Sequence, residues 1–230
     1  MSKQRNTSNI IENKLKFDWE NYKTDKNMTG HGYNDCYDDV FETRRFLCKN
    51  VIEIGTRPGS INLWNDYFPN STLYGLDILD PKVKSDRFVY EHVNQGSEED
   101  WQTFKNKYDF TFDVIIDDGP HTTPEQLICF NTMFEKLSSG GIFVIEDLHA
   151  TEPYDNTYLR NRKYCNFSIL DVLKNFQNNI YTPIELLPNM SYIQSNIDSV
   201  VIKKSKRNRW YNEWPHYTKE SSEIAFIFKK

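Results

Sequence analysis

The chain has 230 residues, enough for one domain that buries roughly 70% of its unfolded-chain surface without stabilising cross-links. Its net charge of -5 and pI near 5.6 argue against a nucleic-acid-binding protein, because phosphate contacts require a basic face. The four cysteines show no C-x-x-C spacing, and no apolar run is long enough for a signal peptide or a membrane span. We therefore expect a cytoplasmic protein with reduced thiols.

The chain opens on a polar stretch in which apolar residues are too sparse to define a core element. We predict an N-terminal arm over residues 1–22, mobile or loosely packed, and a single catalytic domain over residues 23–230. Within that domain, residues 35–47 carry apolar side chains at helical spacing. This pattern predicts a short helix that leads into the first strand.

A regular alternation of strands and helices follows. Strands are predicted over residues 50–54, 72–77, 88–92, 112–116 and 141–145, and helices over residues 60–68, 98–108 and 124–137. Strands that alternate with helical segments are typical of βαβ units, in which a parallel sheet carries helices on both faces. The predicted fold class is therefore α/β.

Beyond residue 150 the pattern is weaker. Residues 154–165 are polar and aromatic and are long enough for a lid over the strand ends. Residues 167–176 look helical, and residues 191–194 with 199–203 are consistent with a closing hairpin. Residues 224–228 are predicted to add one more edge strand.

Acidic pairs close two of the apolar runs. Asp117 and Asp118 end one predicted strand, and Glu146 and Asp147 end another, with His121 three residues past the first pair. The carboxyl ends of parallel strands face the ligand crevice of an α/β sheet, so these groups converge. A hard divalent cation such as Mg²⁺ neutralises such carboxylates, and a neighbouring imidazole can accept a proton. His149 is a second candidate base.

A glycine turn links the first strand to its helix. Gly55 permits close backbone approach, and the helix N-terminus offers free N–H groups to a ligand. The spacing is not G-x-G-x-x-G, which disfavours a dinucleotide cofactor. Glu53 in the first strand and Asp77 at the end of the second are the carboxylates that nucleoside binding needs. The Gln95 amide follows the third strand and can approach an adenine edge, although Ser97 equally suggests a helix cap there.

Over residues 24–147 the chain resembles the metal-dependent sugar O-methyltransferases of the macrocin and mycinamicin type, which act on macrolides with S-adenosylmethionine as methyl donor. The matching blocks are Thr24-Asp25-Lys26, His31-Gly32-Tyr33, Tyr37, Glu53-Ile54-Gly55, Trp64 to Phe68, Tyr74-Gly75-Leu76-Asp77, Ile116 to His121, and Glu146-Asp147. The set is more specific than any one block.

The resemblance implies a class I methyltransferase fold, a Rossmann-like doubly wound sheet that is mostly parallel, with one antiparallel strand near the C-terminus. It implies that Asp118, Glu146 and Asp147 ligate Mg²⁺ and that His121 is the general base. It also places Tyr33 and Ser60 near the methionine part of the cofactor. The full predicted cofactor-binding set is Tyr33, Glu53, Gly55, Ser60, Asp77, Gln95 and Asp117.

We expect O-methylation of a sugar hydroxyl, on a glycan or a nucleotide sugar, with Mg²⁺ chelating vicinal hydroxyls. Neither nucleic acid nor membrane is an expected partner, and a homo-oligomer stays open. One alternative keeps the cofactor but methylates another diol, such as a catechol-like molecule. Another is a non-enzymatic cofactor-binding partner of a glycosyltransferase, which would need no base. A Rossmann oxidoreductase is disfavoured by the Gly55-x-x-x-Gly59 spacing.

Overall fold

The computed structural model describes residues 17–151, 167–180, 188–205 and 222–230. The lid predicted over residues 154–165 lies outside these ranges, and so do the first 16 residues of the predicted arm. Within the described ranges, every helix is too short or too polar to cross a membrane.

Seven strands form one sheet. They are β1 (Asn50–Ile54), β2 (Thr72–Asp77), β3 (Phe88–His92), β4 (Phe112–Asp117), β5 (Leu137–Ile145), β6 (Ile197–Lys204) and β7 (Glu223–Lys229). Their order across the sheet is β3-β2-β1-β4-β5-β7-β6. The pairs from β3 to β5 are parallel, and β7 is antiparallel to both of its neighbours. The predicted fold class is confirmed.

Six α-helices connect or flank these strands. They are α1 (Asn34–Phe41), α2 (Pro58–Tyr67), α3 (Glu98–Lys107), α4 (Thr123–Met133), α5 (Ile169–Gln177) and α6 (Met190–Asn196), within the ranges given above. Ser97 caps α3 by accepting a hydrogen bond from the Asp100 N–H. This confirms the helix cap that the sequence suggested at Ser97. The helix predicted over residues 124–137 ends at Met133, and β5 begins at Leu137, earlier than predicted.

The predicted C-terminal hairpin is wrong. Residues 191–194 belong to α6, where Met190 and Ile193 are buried one helical turn apart, so β6 pairs with β7 instead. The prediction of residues 224–228 as an edge strand is also wrong, because β7 lies between β5 and β6. Its consecutive apolar residues are nearly all buried, which is typical of an internal strand covered on both faces.

Two apolar layers cover the faces of the sheet. Ile52 and Ile54 of β1 contribute to the layer that contains Trp101 of α3. Val51 contributes to the opposite layer, with Trp64 of α2. Successive side chains of a strand point to opposite faces, so each strand serves both layers. The rigid sheet that results fixes the positions of the loops at its carboxyl edge.

Part of the predicted arm packs into the apolar layer that contains Trp64. Trp19 is buried, its ring meets that of Trp64 edge-on at 6.0 Å, and its Nε1 donates to the Asp38 carboxylate at 3.1 Å. Loose packing is therefore a wrong expectation for residues 17–22, because large aromatic rings there bury apolar surface. The domain boundary at residue 22 stays a prediction.

Candidate active site

A cavity of about 600 Å³ opens at the carboxyl ends of β1, β2 and β4. The predicted site residues along its wall are Gly55, Ser60, Asp77, Gln95, Asp118 and His121. The other predicted residues, Tyr33, Glu53, Asp117, Glu146 and Asp147, are buried behind that wall. The structure thus brings the predicted residues together, but in two shells rather than one.

The glycine turn after β1 packs against the turn after β4. Gly55 has φ +82°, and a side chain there would collide with the Asp118 backbone carbonyl. The Asp118 N–H donates to the Ile54 carbonyl at 2.9 Å, which joins the two turns. Only glycine combines this backbone conformation with so close an approach. The turn therefore fixes Asp118 at the cavity wall.

Asp117 holds an amide rather than facing the cavity. Its carboxylate accepts from Gln95 Nε2 at 2.8 and 2.9 Å, and from the Gly119 N–H at 3.3 Å. Burial raises the pKa of Asp117 to about 6. Because the Gln95 amino group is occupied, its Oε1 remains as an acceptor, and that oxygen has no hydrogen-bond partner among the described residues.

Glu53 is likewise a supporting residue. Its carboxylate accepts from the Ser60 hydroxyl at 2.6 Å and from Trp64 Nε1 at 2.7 Å. Burial raises the pKa of Glu53 to about 7. Ser60 reaches the cavity and Glu53 does not, so Glu53 acts on the site through the groups that it holds.

Lys26 is a site residue to which the sequence analysis gave no role. Its side chain is fully buried, and Nζ lies 2.6 Å from Asp118, 2.8 Å from Glu146 and 3.7 Å from Glu53. Burial alone would lower the pKa of Lys26, but these carboxylates raise it well above its usual value. Lys26 is therefore a fixed positive charge inside the carboxylate group. The sequence singles Lys26 out from the other lysines and arginines, 28 in all, only through the matching block Thr24-Asp25-Lys26.

Glu146 is held at both oxygens. Tyr37 donates to Oε1 at 2.5 Å and Lys26 donates to Oε2 at 2.8 Å. Burial raises the pKa of this carboxyl well above its usual range. Each carboxylate oxygen keeps a further lone pair and can still ligate a cation. Tyr37 and Lys26 therefore hold Glu146 in place without using up its capacity as a ligand.

Asp147 lies among histidines. Oδ1 accepts from the Tyr33 hydroxyl at 2.6 Å and lies 3.3 Å from His31 Nδ1 and 3.8 Å from His149 Nδ1. Oδ2 lies 3.3 Å from His121 Nε2. Although burial raises the pKa of Asp147, the three histidines hold it well below its usual range. Sequence reasoning named His121 and His149 as candidate bases and gave His31 no role.

Two backbone positions at this site are unusual. His121 has φ +56° and Asp147 has φ +54°. Both values lie in the left-handed region of backbone conformation, which residues other than glycine rarely adopt. Such conformations persist only where the surrounding structure enforces them, and they concentrate at functional sites. Here they turn His121 Nε2 and Asp147 Oδ2 toward each other.

The donor set fits a divalent cation. Asp118, His121 and Asp147 each offer a ligand atom, and these atoms lie within 4.8 Å of one another. Carboxylate oxygens suit Mg²⁺, and an imidazole widens the choice to transition metals. Of the three predicted ligands, Asp118 and Asp147 belong to this group, while Glu146 is connected to Asp118 through Lys26.

Comparison with known proteins confirms the resemblance found in the motifs, although no family model matches the chain. A Streptomyces olivaceus enzyme, 8-demethyl-8-(2-methoxy-alpha-L-rhamnosyl)-tetracenomycin-C 3'-O-methyltransferase, is 32% identical over 139 residues, 55% of this chain and 35% of that protein. Mycinamicin VI 2''-O-methyltransferase of Micromonospora griseorubida is 32% identical over 127 residues, 51% of this chain and 32% of that protein. The chain thus matches about a third of the length of these curated relatives.

A solved structure extends the likeness to the fold. The MycE methyltransferase of the mycinamycin biosynthetic pathway, in complex with Mg and SAH, superposes with a TM-score of 0.67 at 25% identity. The match covers 91% of this chain and 53% of that protein. The described sheet is therefore that of a class I methyltransferase.

Proposed function

We propose that the protein transfers a methyl group from S-adenosylmethionine to a sugar hydroxyl, with help from a divalent cation. One observation carries the proposal. A single cavity is lined at once by Asp77 and Gln95, which suit a nucleoside, and by Asp118 and His121, which suit a cation and proton transfer. The relatives named as sugar O-methyltransferases and the neighbour that holds Mg and SAH support this assignment.

The cofactor end of the cavity is built from three strand ends. Asp77 follows β2, and its carboxylate accepts from the Leu79 N–H at 2.9 Å while it lines the cavity. A carboxylate in this place can accept hydrogen bonds from ribose hydroxyls. The Gln95 Oε1 atom, whose orientation Asp117 fixes, suits the amino group of an adenine. Gly55 also lines the cavity.

The cation end has more acidic side chains than basic ones. Lys26 contacts Asp118 and Glu146 and lies near Glu53, whereas Asp147 lies among histidines. Asp118 and Asp147, with Glu146 beside them, would hold the cation. Once bound, the cation supplies Lewis acidity that lowers the pKa of a sugar hydroxyl. The chain itself supplies the fixed orientation of these carboxylates through Lys26 and Tyr33.

His121 is the proposed general base. Its Nδ1 atom is buried, so Nε2 is the atom that can accept a proton. Asp147 lies 3.3 Å from Nε2 and stabilises the imidazolium that forms. General-base assistance of this kind typically contributes about 10² to 10⁴ in rate. His121 lines the cavity in a strained backbone conformation, with φ +56°.

The acceptor class is tested by transfer of labelled methyl from S-adenosylmethionine to a panel of acceptors. The panel contains glycosides with vicinal hydroxyls, nucleotide sugars and a catechol, each with Mg²⁺ and with excess EDTA. We expect label on a sugar with vicinal hydroxyls, abolished by EDTA and restored by Mg²⁺. Label on the catechol alone would replace the sugar with another diol, and full transfer in EDTA would contradict the cation's role.

A further inference from the structure

The two oxygens of Asp147 face different sets of groups. Oδ2 faces His121, which lines the cavity, whereas Oδ1 faces His31 and His149. On the Oδ1 side the Tyr33 hydroxyl also donates to Asp147, at 2.6 Å, and orients it in the proposal above. The proposed reaction gives no role to the two imidazoles on that side.

His31, Asp147 and His149 offer ligand atoms that lie within 4.8 Å of one another. From Asp147 Oδ1 the two nearest imidazole nitrogens are 3.3 and 3.8 Å away. Ligand atoms at about 2.0 to 2.1 Å from a tetrahedral Zn²⁺ stand about 3.3 Å apart. Small ring rotations thus suffice to bring the three atoms onto one ion.

We propose that His31, His149 and Asp147 form a second cation site, selective for a borderline transition metal such as Zn²⁺, Ni²⁺ or Co²⁺ rather than Mg²⁺. Two imidazoles and one carboxylate are a nitrogen-rich set that these ions prefer, whereas Mg²⁺ prefers oxygen. Asp147 then bridges the two sites through its separate oxygens.

Neighbouring groups support the imidazoles in this role. The His31 ring stacks on Tyr33, with centroids 5.5 Å apart and planes at 10°. Its Nε2 lies 3.9 Å from the Asp25 carboxylate, the kind of outer partner that orients a metal-bound histidine. Nδ1 contacts the Ser222 hydroxyl at 2.8 Å, so this hydroxyl has to release the nitrogen when a metal binds.

The test is a titration with Co²⁺, followed by its visible d–d absorption, on protein without cofactor or acceptor. The result is therefore independent of the proposed methyl transfer. We expect two Co²⁺ per chain in the wild type and one in the double variant His31→Ala/His149→Ala, with loss of the absorption of nitrogen-ligated Co²⁺. His92→Ala changes an exposed histidine at the end of β3 and should still bind two.

Equal stoichiometry and an equal spectrum in the double variant and the wild type would overturn the proposal. So would a wild-type stoichiometry of one with a spectrum that the double variant keeps. Near-UV circular dichroism establishes that the double variant is folded. If the double variant does not fold, the single variant His31→Gln replaces it, because His31 is partly exposed. His31→Gln should weaken binding of the second Co²⁺ at least tenfold.

Discussion

The carboxylates of the site are neutralised in two different ways. On one side Lys26, fully buried, binds Asp118 and Glu146 and lies near Glu53. On the other side the neighbours of Asp147 are three histidines. A lysine ammonium keeps its charge and its place, whereas an imidazole can be neutral and can ligate a metal. In the proposed reaction the proton is therefore taken up on the Asp147 side, while Asp147 shares the cation with Asp118 of the Lys26 side.

The first prediction concerns the histidine side and has the largest expected effect. His121→Ala should reduce turnover by about 10² to 10⁴, because the general base is lost while the cofactor site and the carboxylates that would hold the cation remain. Steady-state methyl transfer with labelled S-adenosylmethionine measures this. Turnover in His121→Ala equal to that of a His92→Ala control would assign the base elsewhere, with His149 the next candidate.

The second prediction concerns the lysine side. Lys26→Met leaves Asp118, Glu146 and Glu53 buried without their cation, so we expect a loss of about 3 to 5 kcal/mol in the free energy of unfolding. Urea denaturation measures it. The matched control is Lys203→Met, which breaks a solvent-exposed pair with Asp39 and should lose less than about 1 kcal/mol.

If the free energies of unfolding of Lys26→Met and Lys203→Met differed by less than about 1 kcal/mol, Lys26 would not be the fixed counter-charge of these carboxylates. Added Mg²⁺ sharpens the comparison further. If the two sides are as distinct as described, Mg²⁺ should stabilise Lys26→Met more than the wild type, because the cation then meets uncompensated carboxylates.

Asp117 is a third kind of carboxylate in this site, because the Gln95 amide holds it in place of a lysine or histidines. Its pKa of about 6 in the folded protein exceeds the ordinary 3.8, so folding favours the protonated form. Its contribution to stability is present below about pH 4 and is lost as the pH rises through 6. At about 1.4 kcal/mol for each tenfold change in proton affinity, the loss is about 3 kcal/mol.

Asp117→Asn removes this titration. The stability of the variant relative to the wild type should therefore rise by about 3 kcal/mol between about pH 4 and pH 8. Urea denaturation at several pH values checks this, with Asp109→Asn as the exposed control. If both variants follow the wild-type pH profile in parallel, Asp117 is not destabilised as a carboxylate.

The sequence predicted the sheet and the carboxylate cluster because their signals are local. Apolar runs, a glycine turn and paired acids can each be recognised within a few neighbouring residues. The supporting shell comes from far along the chain. Lys26 is 120 residues from Glu146, Tyr33 is 114 residues from Asp147, and His31 is 191 residues from Ser222. Only tertiary packing creates these contacts, so spacing in the sequence does not predict them.

The same reason explains the roles of Glu53 and Asp117. Sequence reasoning predicted cofactor contact for both, with Glu53 inside the first strand and Asp117 just after the fourth. Burial turns them instead toward Trp64 and Gln95, and each then shapes the cavity from behind. Asp77 lies further toward the carboxyl edge, because Glu53 pairs with Gly75 and Ile54 pairs with both Leu76 and Asp117, and it lines the cavity wall.

Binding of S-adenosylhomocysteine to metal-free protein, measured by calorimetry, tests the central assignment of the cavity most directly. We expect binding without added metal, because Asp77 lies outside the cation cluster. Asp77→Ala should weaken it about tenfold or more, since a hydrogen bond to a charged group contributes about 1.5 to 3 kcal/mol. Asp80→Ala, three residues along and exposed, should bind as the wild type does. Equal affinity in Asp77→Ala and Asp80→Ala would contradict the account.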